Sequence, residues 1–227
     1  MIKIENAEVL GWKAAIRGMR NPLNSWDKSD TLFIEAKYCD EMSDFDLAKI
    51  CGGRAPIIKE NDLDLMKRLS KAGTDHRKYL RMITVYVDLT APLYWWKEFD
   101  TYKVGTVANS CSTMHKIQAK PFVREDFSCE RLTDDAMAVM DSIIAYLEEE
   151  RSKFVDTKDK SHWHNMIQLL PSSFNQMRTV TMNYEVLINI YYARRNHKLA
   201  EWHTLCEVIE GLPYAKELIL VKREDNE

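Results

Sequence analysis

The chain has 227 residues, 45% of them hydrophobic, and this length is enough to bury one substantial core without help from disulfides or metal ions. Lys and Arg total 32 against 35 Asp and Glu, so the net charge of -3 provides no basic field that would gather long nucleic acid. The five cysteines lack the close pairs of zinc or redox sites, and no segment has the apolar length of a signal or membrane helix, so we expect a reduced, soluble, cytoplasmic protein.

The first two predicted elements are helices. Residues 43–51 precede a glycine pair, and residues 62–72 carry leucine and methionine side chains on one face before Gly73. Only 7 glycines and 6 prolines interrupt the whole chain. Long helical segments are therefore the main expectation.

A strand and an aromatic helix follow. Residues 82–89 are rich in β-branched and aromatic side chains and predict a strand. Residues 93–102 predict a helix with Trp95, Trp96 and Phe99 at helical spacing. These rings could stack on a flat aromatic ligand, but aromatic stripes at this spacing are more often core, and we expect core.

The C-terminal half is predicted to be mainly helical. A helix begins after Thr133, carries one apolar stripe and frays at residues 148–151; residues 180–195 and 200–209 predict two more. The pattern alone indicates an α+β fold, with a single domain over residues 1–221 and a charged tail at residues 222–227.

Three groups of polar residues are candidates for function. Asn109 to Ser112 could cradle a phosphate if this segment starts a helix, although an ordinary capped turn is the alternative. Arg178 and Arg194 lie on the predicted helix 180–195 or at its start, and their structural alternative is a solvated helix end. Asn183 and Asn189 lie among apolar residues of the same helix, where a buried amide demands a hydrogen-bond partner.

Two histidines, His162 and His164, do not make a convincing metal site. No carboxylate or thiol lies at a companion spacing, so we interpret the pair as part of a surface turn and propose no metal site. No catalytic residue stands out from the sequence.

Three stretches resemble the flavin-dependent thymidylate synthases (ThyX), in order and in spacing. The first is residues 61–99, with its helix, polar turn, strand and Pro-led aromatic helix. The second is Asn109-Ser110-Cys111-Ser112, which is similar to the end of the signature of the family. The third and most specific stretch consists of Leu170-Pro171, Asn183, Leu187, Asn189, Arg194, His197 and Glu201-Trp202.

This resemblance implies a ThyX-like fold, helix-rich with a small central antiparallel sheet. It also implies an enzyme that uses FAD and NADPH to transfer a one-carbon unit from methylenetetrahydrofolate to uracil C5 of dUMP or a related pyrimidine nucleotide. The family places each site between the subunits of a homotetramer, so exposed aromatics such as Tyr191, Tyr192 and Trp202 are expected at subunit interfaces.

The resemblance also assigns the polar residues to two ligands. The expected nucleotide contacts are Ser112, Arg194, Arg178 and Asn109. The expected flavin contacts are Lys103, His76, Arg77, Asn183, Asn189 and Glu98.

The sequence departs from the family at the flavin phosphates. The family has an Arg-His-Arg triplet where this chain has Thr101-Tyr102-Lys103-Val104, in which only Lys103 could serve an anion. Met114 replaces a phosphate-binding arginine, with His115 and Lys116 beside it. Two alternatives therefore stay open: a nonenzymatic nucleotide-binding or assembly protein that retains the fold, and an enzyme with another pyrimidine substrate or a hydroxymethyl product.

Overall fold

The structure is a computed structural model that describes residues 2–33 and 55–221. The predicted helix at residues 43–51 and the charged tail at residues 222–227 lie outside the described residues.

Helices dominate the described residues. They are α1 (Trp12–Arg20), α2 (Glu60–Lys71), α3 (Leu93–Phe99), α4 (Asp134–Thr157), α5 (Lys160–Leu169), α6 (Tyr184–Arg194), α7 (Ala200–Glu210) and α8 (Ala215–Leu218). The strands are β1 (Lys3–Leu10), β2 (Thr84–Pro92), β3 (Val107–Ser110) and β4 (Asn175–Asn183), and they form one antiparallel sheet in the order β1-β2-β4-β3. The predicted α+β class is confirmed.

The contacts divide the chain into two compact units. Unit 1 consists of Met1–Lys3, Leu89–Thr101 and Asn109–Arg178, and unit 2 consists of Ile4–Asp88, Tyr102–Ala108 and Thr179–Glu227. Each unit is therefore assembled from three separate stretches of sequence.

Unit 1 has an aromatic and aliphatic core. Trp95, Trp96 and Phe99 of α3 are almost fully buried and contact one another, which confirms the prediction that this stripe is core. Helices α4 and α5 pack against each other and contribute side chains to a second cluster. The buried members of that cluster are Ile117, Phe122, Phe127, Ile144, Leu147 and Met166.

Unit 2 is organised around Trp12 at the start of α1. The Trp12 ring makes edge contacts with Tyr184 and Tyr214 at centroid distances of 5.5 and 5.6 Å. Gly11 allows this entry into α1, because its φ is +92° and a Cβ there would lie 1.9 Å from the Met82 carbonyl oxygen. Only glycine fits this position.

Several predicted elements are confirmed within a few residues. The predicted helix 62–72 corresponds to α2, the strand 82–89 to β2, the helix 93–102 to α3, and the helix 200–209 to α7. Thr133 caps α4 as expected, since its side chain accepts a hydrogen bond from Ala136 N.

Other predictions are wrong. The helix predicted for residues 180–195 is β4 up to Asn183 and α6 thereafter, so Arg178 lies on a strand rather than on the helix of Arg194. Helix α4 does not fray at residues 148–151 but continues to Thr157. Residues 160–169 form α5, so His162 and His164 lie on a helix rather than in a turn. Sequence reasoning also missed β1, α1, β3, α5 and α8.

Candidate functional site

A cavity of about 640 Å³ lies in unit 1, where the chain leaves β3 and where β4 begins. Its lining combines positive charge, hydroxyl groups and aromatic rings in one space. The charged members are Lys3, Lys116, Lys120, Glu125 and Asp126, and the other members are Thr90, Cys111, Ser112, Thr113, Ile117, Ala119, Pro121, Phe122, Phe174, Asn175, Gln176 and Met177. We call this space the lysine-lined cavity.

A tight turn after β3 brings Ser112 and Lys116 to the same cavity. The Ser112 Oγ accepts hydrogen bonds from the backbone N–H groups of Met114 and His115, at 3.2 and 2.9 Å. The Met114 carbonyl in turn accepts a hydrogen bond of 2.9 Å from Trp163 Nε1 on α5. These bonds fix the turn from both sides, so the exposed Lys116 side chain projects from a held backbone.

The wall formed by β4 is held by a chain of side-chain hydrogen bonds. Gln176 Nε2 donates to the Cys111 carbonyl over 2.7 Å, and Gln176 Oε1 accepts from Arg178 Nε at 3.0 Å. Arg178 Nη1 donates to Asp100 at 2.7 Å, and its guanidinium stacks 4.1 Å from the centre of the Trp96 ring. Arg178 thus orients Gln176, which lines the cavity beside Cys111.

Lys116 and Lys120 of the cavity differ in whether a carboxylate already neutralises their charge. Lys120 Nζ forms an ion pair of 2.6 Å with Asp126, whose other oxygen accepts from Val123 N. Lys116 makes no ion pair with any residue in the part of the chain that the structure describes. An anion entering the cavity would therefore meet Lys116 without first displacing a carboxylate.

Two phenylalanines form the apolar side of the cavity. The rings of Phe122 and Phe174 meet edge to face at a centroid distance of 6.5 Å. Phe122 N donates to the Glu148 carboxylate, and the hydrogen bond from Arg151 to that carboxylate, more than the one from Phe122, holds the pKa of Glu148 below its ordinary value. A charged acceptor on α4 therefore anchors the backbone that presents Phe122.

The structure places the four expected nucleotide contacts in different environments. Ser112 lines the cavity, but it caps a turn rather than a helix, and Asn109 is an exposed residue of β3. The helix start that would have cradled a phosphate is therefore not formed there. Arg178 lies behind the lining in the network with Gln176.

Arg194, the fourth expected nucleotide contact, belongs to unit 2. Its Nε donates to the Tyr102 hydroxyl at 2.8 Å, and its guanidinium lies 4.7 Å from the centre of the Trp202 ring. Trp202 is fully buried, so the expectation that this side chain is exposed at a subunit interface is wrong.

Two of the expected flavin contacts, Arg77 and Asn183, form hydrogen bonds that stabilise unit 2. Arg77 is buried, and its Nε donates to both carboxylate oxygens of Glu185 at 3.0 and 3.1 Å. Asn183 caps α6, because its Oδ1 accepts a 3.0 Å hydrogen bond from Val186 N.

The remaining expected flavin contacts lie mostly at the surface. Lys103, His76 and Asn189 are exposed, and Glu98 is half-buried. The exposure of Asn189 removes the argument that its amide is a buried group in need of a partner. None of the six residues lines the lysine-lined cavity.

These residues do not fit a flavin diphosphate within one chain. Two phosphates call for several cationic donors, yet the one buried arginine of the set already pairs with a carboxylate. Of the six expected flavin contacts, the other basic residues are Lys103 and His76, and both are exposed.

Sequence reasoning found only part of the cavity. It identified Ser112 and noticed Lys116 beside Met114, but it did not assign Lys116, Phe122 or Gln176 to a site. Lys116, which lies two positions after Met114, was the signal in the sequence that could have indicated this site. The rings of Phe122 and Phe174 come from distant parts of the sequence, so no local pattern connects them.

No cluster of three or more His, Cys, Asp or Glu side chains suited to a metal ion occurs among residues 2–33 and 55–221. His162 Nδ1 instead lies 2.9 Å from a Glu150 oxygen. Across the same described residues, no helix has the length and apolar character needed to span a bilayer.

Comparison with known proteins finds similarity in structure and not in sequence. No protein-family model matches the chain, and no curated protein matches it. The fold is similar to that of thymidylate synthase X from Helicobacter pylori with FAD and dUMP, with a TM-score of 0.65 and 15% identity over 100% of this chain and 99% of that one.

Two further solved structures agree with this comparison. Flavin-dependent thymidylate synthase ThyX from Helicobacter pylori, complexed with FAD and dUMP, gives a TM-score of 0.64 and 14% identity over 95% of this chain and 97% of that one. The UMP/dUMP methylase PolB from Streptomyces cacaoi, bound with 5-Br dUMP, gives a TM-score of 0.53 and 14% identity over 92% of this chain and 88% of that one. The chain therefore has a ThyX-like fold.

Proposed function

We propose that the chain binds a pyrimidine mononucleotide in the lysine-lined cavity. The observation that carries this proposal is the meeting of Ser112, Lys116 and the Phe122 and Phe174 rings around one cavity of about 640 Å³. That volume is within the range of about 300–1,000 Å³ typical of small-molecule sites. The neighbours with dUMP and 5-Br dUMP support the choice of a pyrimidine nucleotide.

The two sides of the cavity suit the two ends of a nucleotide. The phosphate would be bound by Lys116, with Thr113 and Ser112 offering hydroxyl groups, because a phosphate prefers charged and hydroxyl donors. The base would lie against the Phe122 and Phe174 side, since aromatic rings favour contact with a flat π-system. Gln176, which donates a hydrogen bond to the Cys111 carbonyl, would form the base of the binding site.

The first prediction is that Lys116→Gln weakens dUMP and UMP binding about tenfold, because it removes a charge-assisted hydrogen bond worth roughly 1.5–3 kcal/mol. Isothermal titration calorimetry measures the affinity. Lys97→Gln is the matched control, since Lys97 is an exposed lysine of α3 in the same unit and does not line the cavity. Equal affinities for wild type and Lys116→Gln would refute the assignment.

Cysteine labelling gives an independent measurement of the same proposal. Cys111 is exposed and lines the cavity, so bound dUMP should slow its alkylation by iodoacetamide, read at the Cys111 peptide by mass spectrometry. Cys206 provides an internal reference because burial, with Glu210 nearby, raises the pKa of its thiol to about 11 and keeps it unreactive. Unchanged labelling of Cys111 at saturating nucleotide would contradict binding in this cavity.

The second candidate function is the full activity implied by the resemblance. In it, the chain catalyses one-carbon transfer from methylenetetrahydrofolate to uracil C5 of the bound nucleotide, with FAD and NADPH as cofactors and sites shared by the subunits of a homotetramer. The presence of both FAD and dUMP in the Helicobacter pylori neighbours favours this candidate. The chain's own contribution would be nucleotide binding by Ser112 and Arg194, with Arg178 and Asn109 in support.

The second prediction separates the two candidates. If Lys103 has taken over the flavin phosphates, Lys103→Gln weakens FAD affinity about tenfold, or roughly 1.4 kcal/mol, and changes dUMP affinity less. Fluorescence quenching of added FAD measures the affinity. Lys198→Gln serves as control, because Lys198 is another exposed lysine of unit 2.

The outcome in the wild-type protein decides between enzyme and binding protein. Protein that binds dUMP but takes up no FAD supports the nonenzymatic alternative. Protein that is purified with visible flavin absorbance, and loses it with Lys103→Gln, supports the second candidate.

A further inference from the structure

A second cavity, of about 450 Å³, lies in unit 2 beside α1 and α2. Its lining carries three cationic side chains and no acidic one. The lining residues are Arg20, Leu23, Ser25, Lys28, Asn61, Leu65 and Arg68. We call it the basic pocket.

Arg20 is the buried member of this lining, with 3% of its surface exposed. Its Nε donates to Asp62 at 2.6 Å, and its Nη1 donates to the Ser25 carbonyl at 3.1 Å. Its Nη2 has no hydrogen-bond partner in the described structure. A buried donor left unsatisfied is costly, so Nη2 would be stabilised by an acceptor that enters the pocket.

Asp62 does not accept a hydrogen bond from Nη2, although both of its oxygens accept from other donors. Oδ1 accepts from Arg20, and Oδ2 accepts from the hydroxyl groups of Ser29 and Thr31 and from the backbone N–H groups of Asp30 and Thr31. Burial alone would raise the pKa of Asp62, but these hydrogen bonds outweigh it and hold the pKa below its ordinary value. Asp62 is thus a carboxylate that neutralises Arg20.

The charge that remains in the basic pocket comes from Lys28 and Arg68. Both side chains are exposed, and neither forms an ion pair with a residue in the described ranges. Asp30 lies beside them, because its carboxylate accepts hydrogen bonds from the backbone N–H groups of Asn61 and Asp62. With the Arg20–Asp62 pair neutral overall, Lys28, Arg68 and Asp30 leave a local charge of about +1, which favours an anion. Leu23 and Leu65 add an apolar wall for an organic group attached to it.

We propose that the basic pocket binds a small ligand through a phosphate group, either free phosphate or a phosphomonoester. Arg20 Nη2 donates to one phosphate oxygen from a fixed position, since Asp62 and Ser25 already hold the guanidinium in place. Lys28 and Arg68 neutralise the remaining charge from the cavity rim. The basic pocket shares no residue with the lysine-lined cavity, so it is a distinct site.

The third prediction tests this site with inorganic phosphate. Added phosphate, with ionic strength held constant by chloride, should raise the thermal unfolding midpoint of the wild-type chain, because a ligand of the native state stabilises it by mass action. The double variant Lys28→Gln/Arg68→Gln should bind phosphate at least about tenfold more weakly. Arg20 is left unchanged, since its removal would strand the buried Asp62 charge and unfold the protein.

Matched variants distinguish the basic pocket from general surface charge. Arg17→Gln/Lys71→Gln removes two cations from the same helices, α1 and α2, at exposed positions outside the pocket, and should leave phosphate binding unchanged. Lys116→Gln in the other cavity should also leave the stabilisation through the basic pocket intact. Equal losses in the two double variants, or no stabilisation of wild type beyond that given by chloride, would overturn the proposal. Tighter binding of a sugar phosphate than of free phosphate identifies the ligand as a phosphomonoester.

Discussion

At the scale of single residues, Glu150 shows how a buried carboxylate is used within α4. Its oxygens meet His162 Nδ1 at 2.9 Å, Asn165 Nδ2 at 2.7 Å and Lys153 Nζ at 3.1 Å. The hydrogen bond with His162, followed by that with Asn165, lowers the pKa of Glu150 from 4.5 to about 2. The carboxylate therefore joins α4 to α5 as a charged group.

The fourth prediction follows from this lowered pKa. Glu150→Gln should reduce the free energy of unfolding at pH 7 by about 1–3 kcal/mol, because it removes a charged acceptor from three donors. Since the pKa is lower in the folded state, the stabilisation is complete above pH 4.5 and is lost as the pH falls towards 2. The difference between wild type and variant should accordingly shrink below about pH 4.5 in urea denaturation.

The control for this variant is the neighbouring acid. Glu149→Gln removes a carboxylate that pairs with Lys153 and is 61% exposed, so its effect should stay below about 1 kcal/mol. If both variants lose the same stability, the contacts of Glu150 with His162 and Asn165 contribute nothing specific.

The arginines explain why residue roles were harder to predict than residue positions. Arg77 and Arg178 were both expected to bind ligands, and in the structure each has a carboxylate partner, Glu185 or Asp100. These partners are distant in sequence and share no local pattern with the arginines. A sequence can show that an arginine needs an anion, but folding decides whether that anion is a side chain or a ligand.

At the scale of elements, local patterns were sufficient where one face of an element is buried. The periodic stripe of α2 and the β-branched run of β2 gave both the type and the place of these elements. The helix prediction failed at residues 180–183, which belong to β4, because the mainly apolar sequence continues from there into α6 without a break in pattern. Asn183 carried the missing signal, because an N-cap residue marks the change from strand to helix.

The candidate site was predictable only to the same local extent. The polar segment that ends at Ser112 was identified, because its residue types suit anion binding within a few positions. The basic pocket was not identified from the sequence, because Arg20 and Arg68 approach one another only after α1 and α2 have packed together. Tertiary packing therefore determined most of the chemistry of both cavities.

At the scale of the whole molecule, the oligomeric state stays a prediction. Of the aromatics expected at interfaces, Trp202 is buried, and the Tyr191 and Tyr192 hydroxyls bond to Glu210 and to the Val221 carbonyl. Val104 and Val107 are better candidates, because they are 90% and 70% exposed in one short stretch of unit 2. We expect these neighbouring exposed valines to be covered if the chain forms an oligomer.

The fifth prediction is that light scattering gives a mass of four times 26.6 kDa for the wild-type chain. Val104→Asp should shift the mass towards smaller species, because a charge buried without a partner in an interface is costly. Val139→Asp changes an exposed valine of α4 in unit 1 and should have no such effect. A monomer at micromolar concentration would contradict both the homotetramer and the shared sites of the second candidate function.

The three-segment composition of each unit also constrains how the protein is made. Unit 1 is not complete until Arg178 has been synthesised, and unit 2 resumes only at Thr179. A ribosome adds about 5–20 residues per second and usually releases domains for folding one after another. Here the strand β4, which pairs with both β2 and β3, is among the last elements to emerge. Neither unit can therefore fold to completion early in translation, and a premature stop codon anywhere before β4 removes part of both.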